Sequence, residues 1–150
     1  MPFRLLAPLL ALPFVVSAQN GPPVTLAVHL LVDCSSDGAG QHIRLPGMEA
    51  SRCLDRTPFL TQKDVASAEL HTNSKGHPTI FLTFHEDAAI RELDITRRNV
   101  GNRVAIVVNG RVVAAPEVAS SSRLLYIDGN YTDKQAQSLV SAFNKLATAK

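Results

Sequence analysis

Tryptophan is absent, aromatic residues make up 5% of the 150 positions, and cysteine occurs twice. A core built from this chain must therefore be aliphatic, drawn from Val, Leu, Ile and Ala. A multi-disulfide scaffold and a four-cysteine zinc site are both out of reach. Excess charge is also scarce: 15 Lys and Arg against 13 Asp and Glu leave a net +2. That balance gives no electrostatic case for nucleic acid or for an anionic membrane surface. After the first residues no long apolar run remains. The longest, Val104 to Val108, is stopped by Asn109-Gly110, far short of the roughly 20 residues a spanning helix needs. What is present is ordinary: 45% hydrophobic residues, enough for one globular domain at this length.

Met1 to Ala18 (MPFRLLAPLLALPFVVSA) has one cation, Arg4, then an apolar run from Leu5 to Val16 and a small-residue site at Val16-Ser17-Ala18. The pattern predicts a signal peptide cleaved after Ala18 and a periplasmic or secreted product. The run is about a dozen residues and carries Pro8 and Pro13, too short and too interrupted for a membrane span; the alternative is a buried N-terminal strand or helix. No transmembrane segment is expected after signal removal. Cys34 and Cys53 are too far apart for a CxxC motif. In an oxidising compartment the default is one disulfide between them; free buried thiols or a reactive pair are the alternatives. A crosslink there would brace Asp33 to Asp55, a polar stretch with little periodicity.

Three segments follow: 1–18 as signal, 19–63 as an N-terminal strand with the disulfide loop, and 64–150 as an α+β domain. Val24 to Val32 reads as a strand, with a short extended piece at His42 to Leu45. Asp64 to Leu70 and Thr79 to Phe84 read as further strands. In the first of these, Val65, Ser67 and Glu69 should share one face, opposite Ala66, Ala68 and Leu70. A helix is predicted over 86–98, started by a Thr83/Glu86 capping box or by His85 at the cap. Its expected apolar stripe is Ala89, Ile90 and Leu93, with Asp87/Arg91 and Asp94/Arg98 as i,i+4 pairs. Gly101 should end it.

The sharpest local signal is VAIVVNGRVVAAP, two apolar runs joined by Asn109-Gly110. Asn-Gly suits a two-residue turn needing positive φ at both positions. The expected register sets Val108 opposite Arg111, Val107 opposite Val112 and Ile106 opposite Val113. With both faces apolar, the hairpin is expected inside the sheet, and Pro116 should end its second strand. Leu124 to Ile127 reads as a last strand, then a helix capped by Thr132 and Gln135. Ala136, Leu139, Val140, Phe143, Leu146 and Ala147 give that helix one apolar face. The order predicts an α+β domain: a mostly antiparallel sheet, a central Asn-Gly hairpin and two packing helices.

Catalytic patterns are lacking: no GxSxG, HExxH, P-loop or dinucleotide fingerprint occurs. His29, His42, His71, His77 and His85 show no HxH or HxxxH spacing, so neither a metal nor a cofactor is expected. Asp128, Asp133, Glu86 and Asp87 read as turn and cap residues, and Ser120 to Ser122 as a loop. These residues assign no catalytic site.

From Asp64 to about Leu146 the chain resembles the head subdomain in the first periplasmic region of SecD, the protein-export membrane protein. The resemblance is carried by Thr96, Asn99, Gly101, Ala105 to Val107, Gly110, Ala115-Pro116, Ile127, Gly129, Tyr131-Thr132 and Ala136. It departs at Ser122-Arg123, where the family has a Gly-containing stretch, and at Ala88 or Ala89, where a Gly often opens the first helix. SecD carries many membrane spans that this chain lacks, so proton-driven translocation does not transfer. Asn99, Gly101, Asn109, Gly110, Pro116 and Gly129 read as structural, each serving a turn or strand end. The expected function is an exported, non-enzymatic module that contacts polypeptides or envelope proteins. Leu124, Leu125, Tyr126 and Ile127 form its candidate edge strand. The alternatives are a soluble accessory of the Sec machinery and a small exported enzyme whose histidines meet in a cleft.

Overall fold

The computed structural model describes residues 22–45, 50–119 and 124–149. The signal segment, the Ser120 to Ser122 loop and Ser122-Arg123 lie outside them. Among the described residues are two α-helices and nine strands, the strands forming two antiparallel sheets. The larger contains β1 (Leu26–Val32), β2 (Ala39–Ile43), β3 (Arg52–Asp55), β4 (Leu60–Thr61), β7 (Val104–Val108) and β8 (Arg111–Ala114), in the order β2-β3-β1-β7-β8, with β4 also pairing β1. The smaller is β5 (Val65–Thr72), β6 (Pro78–Phe84) and β9 (Leu124–Ile127), in that order. A 3-10 turn, Gln62–Asp64, links them. α1 (Glu86–Arg98) follows β6, and α2 (Asp133–Thr148) packs on β5 and β6. The α+β class stands; the sheet is divided in two.

The main core joins Val28 and Ile106 of the larger sheet to Ile80, Leu82 and Ile127 of the smaller and Phe143 of α2. A second cluster, Leu31, Ile43, Leu54 and Ala105, covers the other face of the larger sheet. β7 therefore buries side chains on both faces, which is why VAIVV lacks polar alternation.

The hairpin departs from expectation in two ways. Asn109 and Gly110 have φ of +50° and +75°, as its turn requires. β7 is interior, but β8 is the rim strand of its sheet, so the hairpin is central on one side only. Val108 faces Arg111 and Val107 faces Val112, whereas Ile106 pairs with Ala114. A bulge at Val113 absorbs one residue, as rim strands commonly allow. Another bulge, between Val65 and Ser67, puts Val65 on the buried face together with Ala68 and disrupts the expected alternation.

In α1 the buried stripe is Ala88, Ala89, Glu92 and Thr96, while Ile90 is 58% exposed. Spacing of four from Ala88 outweighs residue polarity here. His85 occupies the N-cap without a side-chain bond, and no Thr83/Glu86 box forms. Arg91 pairs with Asp64 at 2.7 Å instead of with Asp87, while Asp94 and Arg98 do pair. At α2 the box forms: Thr132 Oγ1 accepts from the Gln135 N–H at 3.3 Å, and Gln135 Oε1 accepts from the Thr132 N–H at 2.9 Å. Thr132→Ala should lower stability by about 1 kcal/mol, read as a shift in the urea midpoint at constant slope.

Candidate functional site

β9 pairs only with β6 among the described strands: Ile80 opposite Ile127, Phe81 opposite Tyr126, Leu82 opposite Leu125, Thr83 opposite Leu124. Its other side is an edge. Leu125 and Ile127 point into the core, and Tyr126 points outward, 45% exposed. The Tyr126 ring meets Phe81 edge-on, centroids 4.5 Å apart, and the His71 ring lies tilted against Phe81, centroids 4.2 Å apart. The alternation of LLYI thus puts an aromatic row across the outer face of the smaller sheet.

Alongside β9 runs a groove of about 580 Å³. One wall is Leu125, Tyr126 and Asp128. The other is the segment after β8, Ala114 to Ala119, and Glu92 and Thr96 of α1 contribute to its lining. The segment is fixed by backbone bonds: Val118 N–H donates to Asn102 O at 2.8 Å, and Gly101 N–H to Val118 O at 2.9 Å. Gly101 does this at φ +83°, a conformation that favours glycine. Pro116 sits within the same wall.

Glu92 was not among the candidates read from sequence. It is 5% exposed, and its Oε2 is buried without a hydrogen-bond partner among the described residues. Burial raises its carboxyl from 4.5 to about 7, because an apolar surround disfavours the charged form. Thr96 does not relieve it, since its hydroxyl donates to backbone oxygens of Glu92 and Leu93. Asp128 is better served, accepting from Thr79 Oγ1 and Asn73 Nδ2. A second groove of about 470 Å³ is lined by Leu30, Pro58 and Phe59 together with the Asp64–Arg91 pair.

The remaining sequence candidates are dispersed. Asn99 and Asn109 act on backbone: Asn99 Nδ2 donates to Ile95 O, and Asn109 Oδ1 accepts from Thr25 N–H. At Gly129 a Cβ would lie 2.3 Å from the Tyr131 ring. Partial burial raises the pKa of the Tyr131 hydroxyl. Cys34 and Cys53 are bonded to each other, Cα atoms 5.0 Å apart. His42 Nδ1 lies 3.6 Å from Cys34 Sγ and 2.8 Å from Ser51 Oγ. His29 Nδ1 contacts Asp55 O, and His71 Nε2 contacts Glu69. Neither groove has a histidine in its wall, which is where the enzymatic alternative needs two.

Two antiparallel sheets, two helices and a groove along β9 make a small α+β fold, and among the described residues no helix is long and apolar enough to cross a membrane. The family described as SecDF, P1 head subdomain, matches residues 42–146, and the chain belongs to that family. The SecD translocase subunit of Acidaminococcus fermentans is 35% identical over 88 residues, 57% of this chain and 21% of that protein. The SecD subunit of Aquifex aeolicus is 27% identical over 129 residues, 79% of this chain and 26% of that protein. A solved structure of SecDF, described as a membrane component that enhances protein export, superposes with a TM-score of 0.63. It is 23% identical, and the match covers 81% of this chain and 62% of that one. The chain thus spans about a quarter or less of these two SecD relatives.

Proposed function

We propose that this chain is an exported interaction module that holds extended polypeptide by strand addition at β9. The supporting observation is an open strand edge bordered by an apolar groove and an exposed Tyr126. Backbone pairing would supply affinity without sequence preference, and the groove would take alternate side chains. Family membership supports a role beside protein export, and the leader-like Met1 to Ala18 supports a position outside the cytoplasm. The test is an amide NMR titration with a soluble ten-residue Thr-Val repeat peptide bearing one central Lys. Slowed exchange at 124–127 is expected; binding that leaves those amides unchanged, or no binding, overturns the reading. A second reading, a soluble accessory of the Sec machinery, rests on the family match alone. It requires co-purification with the SecDF complex from detergent-solubilised membranes.

A further inference from the structure

Resting on strand addition at β9, we infer that Glu92 makes the groove selective for a segment carrying a Lys or Arg side chain. The groove is apolar along Leu125, Val104, Val118 and Ala114, and a carboxyl group lies in its lining. Its buried oxygen has no partner among the described residues. Such an atom costs free energy until a donor reaches it, so the site is incomplete as it stands. The donor's sign follows from the surroundings. Among the described residues, the other ionisable groups in the groove are Glu117, from the segment after β8, and Tyr126 and Asp128, from β9 and its end, and no Lys, Arg or His lines it. Arg103, a described cation near that wall, donates to Ala115 O, and Arg91 of α1 turns to Asp64. An anionic segment would add like charge to three carboxyl groups. A neutral apolar one would fill the walls and leave Oε2 unpaired. An ammonium or guanidinium on a long aliphatic stem satisfies both, its methylenes against the walls and its head on the carboxylate.

Seating the cation requires Glu92 to be ionised. Below its raised pKa of about 7, binding must release a proton from the carboxyl, so affinity falls with falling pH, approaching tenfold per unit.

The test uses two peptides that differ at one position, the Lys peptide above and its norleucine counterpart, which keeps the stem and lacks the ammonium. At pH 8 the Lys peptide should bind about tenfold more tightly, and its advantage should shrink toward pH 5. Glu92→Gln should remove the preference and its pH dependence while retaining norleucine binding; Glu117→Gln should keep both. Equal affinities for the two peptides across the pH range, or an unchanged preference in Glu92→Gln, overturn the inference while leaving strand addition standing. Failure of both peptides to alter β9 amides overturns strand addition and the inference with it. Should Glu92→Gln misfold, the pH dependence of the Lys-to-norleucine ratio in the unaltered chain decides alone.

Discussion

Replacing Cys34 and Cys53 together by serine should lower the unfolding free energy by about 3 kcal/mol. The bond closes a loop of separation 19, and releasing a loop of that size restores roughly this much chain entropy to the unfolded state. The melting temperature should fall by about 10 °C for a domain of this size. The loss should be largest at β2, which among the described strands pairs only with β3 and has Ile43 as its buried residue. The second cluster it covers is small, Leu31, Ile43, Leu54 and Ala105. The Arg52–Asp33 pair that spans the same region is exposed and replaces little of the lost restraint. Calorimetry with and without reductant checks the size, and hydrogen exchange checks the place. An unchanged melting temperature under reductant means that the crosslink does not restrain the unfolded chain.

Glu92 should make the protein less stable as the pH rises from about 4.5 to about 7. The folded carboxyl keeps its proton up to about 7, whereas the unfolded one releases it near 4.5. Within that interval the folded state binds more protons, so each step up in pH favours unfolding. The contribution of the neutral carboxyl is complete below the lower value, declines through the interval and is gone above the upper one. Its full span is at most about 3 kcal/mol, at 1.36 kcal/mol per unit of displacement. Glu92→Gln holds the side chain neutral throughout. It should match the parent at pH 4.5 and exceed it by about 1 to 3 kcal/mol at pH 8. Urea midpoints at pH 4.5, 6 and 8 measure the difference, and parallel curves for the two proteins would refute the assignment.

Local pattern carried most of the architecture. The Asn-Gly turn, the Thr132/Gln135 box and the apolar face through Ala136, Val140 and Phe143 are short-range features, and they appear where the residues put them. What escaped depends on registers and partners. A bulge adds one residue and reverses inside and outside beyond it, so Val65 and Val113 defeated simple alternation. Whether β8 lies inside a sheet depends on whether another strand reaches it, and two apolar faces cannot answer that. The α1 stripe was misread because Ile90 looks like core and Glu92 like surface. Its true face follows Ala88, Ala89 and the spacing of four to Glu92 and Thr96. That error concealed the carboxyl of the groove. LLYI, bounded by Asp128-Gly129, was legible as a short strand, but its place at the end of the order β5-β6-β9 depends on which strands reach it.

β1 is the first strand among the described residues and sits at the heart of its sheet, with Val28 opposite Ile106 and Leu26 opposite Val108. As the polypeptide emerges from N-terminus to C-terminus, that strand must wait for most of the chain before its β7 partner exists. Ladders closed over such distances form slowly. Meanwhile LAVHLLV presents an unpaired apolar edge, a hazard for self-association. The Cys34–Cys53 bond needs only the first third of the sequence. Formed early, it would hold β3 against β1 at Leu31–Leu54 and Val32–Cys53 and shield one side of that strand until β7 arrives. Its value would then lie in the yield of folded protein per chain made, as much as in the durability of the finished fold.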